Sequence, residues 1–166
     1  VDFTGHASRM SPVDMMSMLN RLFSAFDELS EGYGVEKIKT VGDSYLVVVG
    51  GLPIERPDHA EAIANVALDM QEVVARMRGE AYPDLRIRVG MNSGSLLAGV
   101  VGTKRFMYDI WGDTVNTASR MESLGIDGET QVTENTYLLL REDYVFQPRG
   151  LIEVKGKRTM QTYLLK

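Results

Sequence analysis

Repeated strand-like runs in this chain turn back across links too short for a parallel crossover, and this most limits the folds open to it. Residues 36–40 and 44–49 flank a Val41-Gly42-Asp43 turn, and residues 85–91 and 96–101 are separated by little more than Asn92-Ser93-Gly94. Parallel strands need a connection of about a dozen residues, so such tight links predict hairpins. Two long helices accompany them. Ser11-Pro12 supplies an N-cap and an N1 proline, with Asp14 in the first turn. Met15, Met18, Leu19, Leu22, Phe23, Phe26 and Leu29 then form an apolar stripe that Gly32 and Gly34 end. Asp58 caps a second helix to about Arg78, with Ala62, Ile63, Val66, Ala67, Met70, Val73 and Met77 inward. Strands are expected at 106–111, near 131–132, at 146, 151–154 and 162–165, and a short helix at 134–140. Helices interleaved with hairpins predict an α+β fold, a mostly antiparallel sheet with flanking helices, and not a doubly wound one. At 166 residues the chain is read as one domain, residues 1–166, with no internal repeat.

Composition removes several function classes. A net charge of −5 without a basic tract argues against a nucleic-acid partner. The absence of cysteine excludes disulfides and thiolate metal sites and fits a reducing, cytoplasmic setting. His6 and His59 are too few for a histidine metal centre. No run reaches the roughly 18 apolar residues of a membrane span, so no membrane contact is expected from this chain itself. Any membrane attachment of a parent protein would lie outside it.

The densest chemistry lies in Tyr108-Asp109-Ile110-Trp111-Gly112-Asp113-Thr114-Val115-Asn116-Thr117-Ala118-Ser119-Arg120-Met121. A strand ends at Gly112 and a helix starts with Asp113 as N-cap. Asn116 and Arg120, four apart, share one helix face, while Val115, Ala118 and Met121 point toward the fold. A fixed amide beside a forked, permanently charged guanidinium suits a polyanion; a solvated helix face is the plainer account. Asp43, at a hairpin tip, offers oxygen ligands to a hard cation, although Gly-Asp is also a common turn pair. Lys39 can only donate and an ionised Asp109 can only accept. That pair fits adenine, with an acceptor at N1 and a donor at N6, and clashes with guanine; each could equally be a solvated or strand-edge charge. Lys155, in Glu153-Val154-Lys155-Gly156-Lys157, is a further cation, with Lys157 as its rival and a solvated basic turn as the plainer account. Trp111 and the methionines of the first helix read as core. Gly94, Gly99 and Gly102 lack dinucleotide-loop spacing and read as bends and close packing in strands.

These motifs, with Lys37-Ile38-Lys39-Thr40-Val41-Gly42-Asp43-Ser44-Tyr45 and the 91–102 segment, resemble the catalytic domain of class III nucleotidyl cyclases over nearly the whole chain. The resemblance implies a ferredoxin-like βαββαβ core and conversion of ATP to 3′,5′-cyclic AMP and pyrophosphate. It implies two Mg²⁺ or Mn²⁺ ions per site, with Asp43 as a metal ligand. Lys39 and Asp109 would read the base, where similar guanylyl cyclases carry Glu and Cys. Asn116 would orient the ribose, Arg120 would stabilise the transferring phosphoryl, and Lys155 would grip the distal phosphates. Backbone amides of the loop opened by Phe3 and Thr4 would face phosphate. In this family the metal aspartates come from one subunit and the other groups from its partner, which implies a homodimer with composite sites.

Two other readings stand beside this one. A guanylyl or dual-specificity cyclase is disfavoured by Lys39 and Asp109. A non-catalytic nucleotide-binding cyclase-like domain is favoured only by the lack of a second metal aspartate. Similar cyclases carry that residue in an Ala-Asp-Ile strand just before the equivalent of Val1. A longer parent with an additional opening strand is therefore expected. A diguanylate cyclase is more remote, since Gly42-Asp43-Ser44-Tyr45 lacks that motif's second acidic residue.

Overall fold

Ser11 opens the first helix, α1 (Pro12–Tyr33), as N-cap: its hydroxyl accepts the Asp14 N–H at 3.1 Å, and proline sits where its missing N–H is not needed. At the far end Gly34 takes φ +64°, with its N–H on Glu31 and the Val35 N–H on Ser30, a Schellman close that glycine enters without strain. The structure, a computed structural model, describes residues 10–50, 56–102, 104, 106–157 and 159–166. Its contacts divide into two compact units, Val1–Ile87 and Arg88–Lys166.

The first unit contains α1, the hairpin β1 (Glu36–Val41) and β2 (Ser44–Val48), and α2 (His59–Glu80). Met15, Met18, Leu22 and Phe26 are buried at the helical spacing expected, whereas Met16 is exposed, so only part of the methionine set is core. Tyr45 of β2 packs against Phe23 and Phe26, with ring centroids 5.6 and 5.5 Å away. Its hydroxyl donates to Asp27 at 2.6 Å, and Lys37 Nζ donates to the same carboxylate at 2.9 Å. α2 buries Ala62, Val66, Ala67, Met70, Val73 and Met77 as its pattern predicts. Asp58 occupies the N-cap position but makes no side-chain cap, because Arg56 forks onto its carboxylate at 3.0 and 2.6 Å. The same guanidinium donates to the Tyr33 and Gly34 carbonyls and so ties the end of α1 to the start of α2.

The Asp27 cluster makes a pH prediction. Partial burial raises the Asp27 pKa, but hydrogen bonds from Lys37 and Tyr45 and the lysine charge outweigh it and lower the carboxyl below its usual range. A lowered native pKa gives stability that is present above the unfolded value of about 3.9 and is lost as pH falls through the native value. The melting-temperature gap between wild type and Asp27→Asn should therefore be widest above about pH 5 and close as the pH drops toward 3. With the Asp27 side chain 47% exposed the gap should be small. A gap that stays constant across that range would rule out this carboxylate as a source of acid sensitivity.

The second unit contains β3 (Val89–Met91), β4 (Leu97–Val101), β5 (Met107–Trp111), α3 (Asp113–Ser123), β6 (Thr130–Thr133), α4 (Glu134–Leu140), β7 (Phe146–Ile152) and β8 (Met160–Leu165). One sheet runs β3-β6-β8-β7, in which only β3 and β6 are parallel; β4 and β5 form an antiparallel hairpin. The fold is α+β and mostly antiparallel, as the sequence predicts. Two local expectations change. Residues 85–88 are not strand, and β3 does not turn back on 96–101 but lies beside β6. The cause is visible at the end of β3. Asn92 donates its amide to the Thr114 carbonyl at 3.0 Å and accepts from Thr133 at 2.8 Å, which draws this end toward α3 and β6. Among the described residues no helix is long and apolar enough to cross a membrane.

Candidate active site

The β1–β2 hairpin has a two-residue turn, Gly42-Asp43, closed by the Val41–Ser44 pair. Gly42 has φ +60° and no non-glycine residue among the described residues has positive φ, the pattern of a type II′ turn with glycine first. Asp43 is thereby lifted to the tip, half-buried, with no hydrogen bond or ion pair to another described residue. Lys39 lies on β1, and here the ladder slips: Lys37 pairs with Val47 but Lys39 with Leu46, leaving Ile38 as a bulge. In a regular strand two residues two apart share a face. Val47 and Leu46 are neighbours and point to opposite faces, so the bulge turns Lys39 away from the face on which Lys37 meets Asp27 and Tyr45.

Asp109 sits mid-strand on β5 opposite Gly99, only 9% exposed, and one oxygen accepts the Ile110 N–H at 2.9 Å. Trp111, expected in the core, is 38% exposed; its ring lies beside Gly99, where there is no side chain to displace it. Gly112, at φ +135°, ends the strand and is itself the N-cap, so Asp113 is the first helical residue and not the cap. Its carboxylate pairs instead with Lys157. On α3 both Asn116 and Arg120 are exposed, one turn apart, and neither side chain bonds to another described residue. The inner face is Thr117 and Met121, with Val115 and Ala118 only half-buried, so the expected inward set shifts by one residue around the helix. α3 lies directly on Gly90 of β3: a Cβ there would stand 2.0 Å from the Glu122 nitrogen and 2.5 Å from the Ala118 carbonyl oxygen.

Lys155 is exposed in the turn after β7, where the Lys157 N–H closes on the Val154 carbonyl at 2.9 Å. Lys157 is occupied by Asp113, while Lys155 has no partner among the described residues. The ion pair tethers the turn bearing Lys155 to the start of the helix bearing Asn116 and Arg120.

Residues 109, 116, 120 and 155 thus belong to connected elements of the second unit, and 39 and 43 to one hairpin of the first. Phe3 and Thr4 lie outside the described residues. Asn92, Thr133 and the Asp113–Lys157 pair were not legible as site components. The signal that could have found them is the threonine-rich run from Thr130 to Thr136 beside an Asn flanked by Gly90 and Gly94.

The family described as the adenylate and guanylate cyclase catalytic domain matches residues 1–166. An adenylate cyclase of Mycobacterium tuberculosis is 50% identical over 165 residues, which is 99% of this chain and 37% of the mycobacterial protein. The chain therefore spans little more than a third of that relative. Among solved structures, the guanylate cyclase domain of RhGC from Catenaria anguillulae in complex with GTP superposes with a TM-score of 0.90 at 43% identity, covering 100% of this chain and 91% of the other. The adenylyl cyclase CyaB from P. aeruginosa superposes with a TM-score of 0.89 at 27% identity, covering 99% of this chain and 88% of that one. Matched from end to end in sequence and superposed on cyclase domains of both base specificities, this chain belongs to the adenylate and guanylate cyclase catalytic domain family.

Proposed function

We propose that this domain is an adenylate cyclase, in which the ribose 3′-oxygen of ATP attacks the α-phosphorus and expels pyrophosphate. The observation that carries the reading is Asp109, a nearly buried carboxyl group, acceptor-only when ionised, on the strand leading into the helix that presents Asn116 and Arg120. Lys39 donates to adenine N1 and Asp109 accepts from its N6 amine. Phosphoryl transfer needs little from a protein beyond positioning and charge. The Asn116 amide holds the ribose, the Arg120 fork meets charge developing on the phosphoryl oxygens, and Lys155 holds the distal phosphates.

Asp43 suits a hard divalent cation. No group of three or more metal-ligating side chains occurs among the described residues. Mg²⁺, which keeps several waters and takes one or two carboxylates plus substrate phosphates, does not need such a cage. Two Mg²⁺ or Mn²⁺ ions per site, held partly by Asp43, would supply acidification of the 3′-hydroxyl and neutralisation of the triphosphate.

The active form in this reading is a homodimer, with Asp43 from one copy and the remaining groups from the other. Its support is the β4–β5 hairpin. Leu97 pairs with Trp111, Gly99 with Asp109 and Val101 with Met107, so these residues share one face, and its four apolar members are all exposed. A second copy covering that face would remove the apolar surface from water and dry the surroundings of Asp109.

A guanylyl specificity is the second reading, favoured by the 43% identity to a guanylate cyclase domain. One experiment separates the two. The wild type should show a kcat/KM for ATP well above that for GTP at equal metal concentration. Lys39→Glu with Asp109→Cys should lower the ATP value by about one to two decades for each matched hydrogen bond lost. A wild-type preference for GTP, or an ATP to GTP ratio unmoved by the double substitution, would overturn the adenylyl assignment.

A further inference from the structure

At the carboxyl ends of the parallel pair β3 and β6, polar side chains join two strands and two helices. Asn92 Nδ2 donates to the Thr114 carbonyl, and Asn92 Oδ1 accepts from Thr133 Oγ1. Thr133 Oγ1 also lies 3.4 Å from Thr136 Oγ1, which is 3.0 Å from Ser93 Oγ. The directions follow from donor counting. The Thr114 carbonyl can only accept, which fixes the orientation of the Asn92 amide, and that in turn makes Thr133 a donor. Each hydroxyl has one proton, so Thr136 donates to Thr133 and Ser93 donates to Thr136. The relay therefore runs one way, from Ser93 through Thr136, Thr133 and Asn92 to the first turn of α3.

Two details argue that this relay positions the helix and does more than fill a core. Thr133 stands at the N-cap of α4 with extended backbone, yet its hydroxyl makes no cap bond and serves Asn92 instead. The receiving carbonyl belongs to Thr114, two residues before Asn116, and the Thr114 hydroxyl in turn donates to the Ser95 carbonyl at 2.6 Å. The first turn of α3 is thus held through both its backbone and its side chain by the segment from 92 to 95. Gly94 leaves room for this contact, since a Cβ there would lie 2.8 Å from Thr114 Oγ1.

We propose that Asn92, oriented by Thr133, is a positioning residue that sets the placement of Asn116, and through it the ribose, in the cyclisation reaction. The inference rests on the reading of Asn116 given above. Because Asn92 acts on placement and touches neither base nor distal phosphates, its loss should reduce kcat and leave KM nearly unchanged. Asn92→Ala should lower kcat about 10- to 100-fold, with KM within about threefold, for the preferred nucleoside triphosphate. Asn92→Asp, which sets a carboxylate against the Thr114 carbonyl, should do at least as much harm at nearly constant volume. Thr133→Val should move kcat in the same direction, and Thr133→Ser, which keeps the hydroxyl, should restore it.

The deciding measurement is a double-mutant cycle with Asn116→Ala, on full-length protein with thermal unfolding recorded for every variant. If Asn92 works through Asn116, Asn92→Ala adds little in the Asn116→Ala background. An impaired Asn116→Ala combined with an Asn92→Ala that is near wild type, or that is fully additive, overturns the inference and leaves the functional reading intact. A fully active Asn116→Ala removes both. Should Asn92→Ala lose its cooperative unfolding transition, Thr133→Val compared with Thr133→Ser decides instead: a lower kcat for the valine variant supports the proposal, and equal values overturn it.

Discussion

Arg120→Ala should lower kcat for ATP cyclisation by about 10²- to 10³-fold while the protein remains folded. The guanidinium is exposed on α3 and bonds to no other described residue, so its removal orphans no partner and opens no cavity. In the proposed mechanism what is lost is charge aimed at the phosphoryl oxygens as they develop in the transition state, a contribution confined to catalysis. Asp43→Ala should be comparably inactive, and for an equally local reason, since nothing apolar leaves the hairpin tip. Mixing the two inactive proteins is the stronger test. In the proposed homodimer with composite sites, random 1:1 exchange makes half the dimers mixed, and each mixed dimer has one site with an intact Asp43 and an intact Arg120. Recovery should approach about a quarter of wild-type specific activity. No recovery where mixed dimers demonstrably form would mean that each site is built within a single chain.

Gly90→Ala should have the largest effect on stability. Its added carbon would meet the backbone of α3, 2.0 Å from the Glu122 nitrogen and 2.7 Å from the Glu122 Cα, and helix backbone has no rotamer with which to yield. The helix must lift from β3 or the strand must leave β6, at a cost of about 3 kcal/mol or more, a melting point lower by roughly 6–12 °C. Gly32→Ala makes the matched control. That glycine lies within α1 with nothing inside 4 Å of its would-be Cβ. The substitution should be neutral or stabilise by up to about 1 kcal/mol, because alanine restricts the unfolded chain and favours helix. Equal melting points for the two variants would show that the close approach of α3 to β3 does not hold in solution.

What could be read in the sequence was whatever depends on near neighbours. The stripe from Met15 to Phe26, the Ser11-Pro12 start, the Gly34 stop and the Gly42-Asp43 turn are each set within a few residues, and each is found as expected. Asn116 and Arg120 share an exposed face because helical spacing alone decides it. The misjudged features depend on distant partners. Asp58 resembles a helix cap until Arg56 takes its carboxylate. Asp113 resembles one too, but Gly112 can adopt φ +135° and the helix begins a residue earlier in its cap. The inner face of α3 includes Thr117, a polar residue whose hydroxyl is buried without a partner among the described residues, and no apolar pattern marks it. The special role of Gly90 is a missing atom, visible only once another backbone arrives beside it.

The one-residue slip in β1 has a consequence for anyone transplanting substrate preference between relatives of this domain. Lys37 and Lys39 look interchangeable on paper, two like residues separated by one, yet Ile38 is supernumerary and the two lysines answer to opposite sides of the hairpin. Sidedness here is a matter of parity and not of residue type. Inserting one residue between Leu46 and Val47 would preserve every charge in the segment while giving Ile38 a partner and bringing both lysines to one side of the hairpin. A graft that copies the side chains into a regular ladder without the bulge would therefore install the right chemistry facing the wrong way.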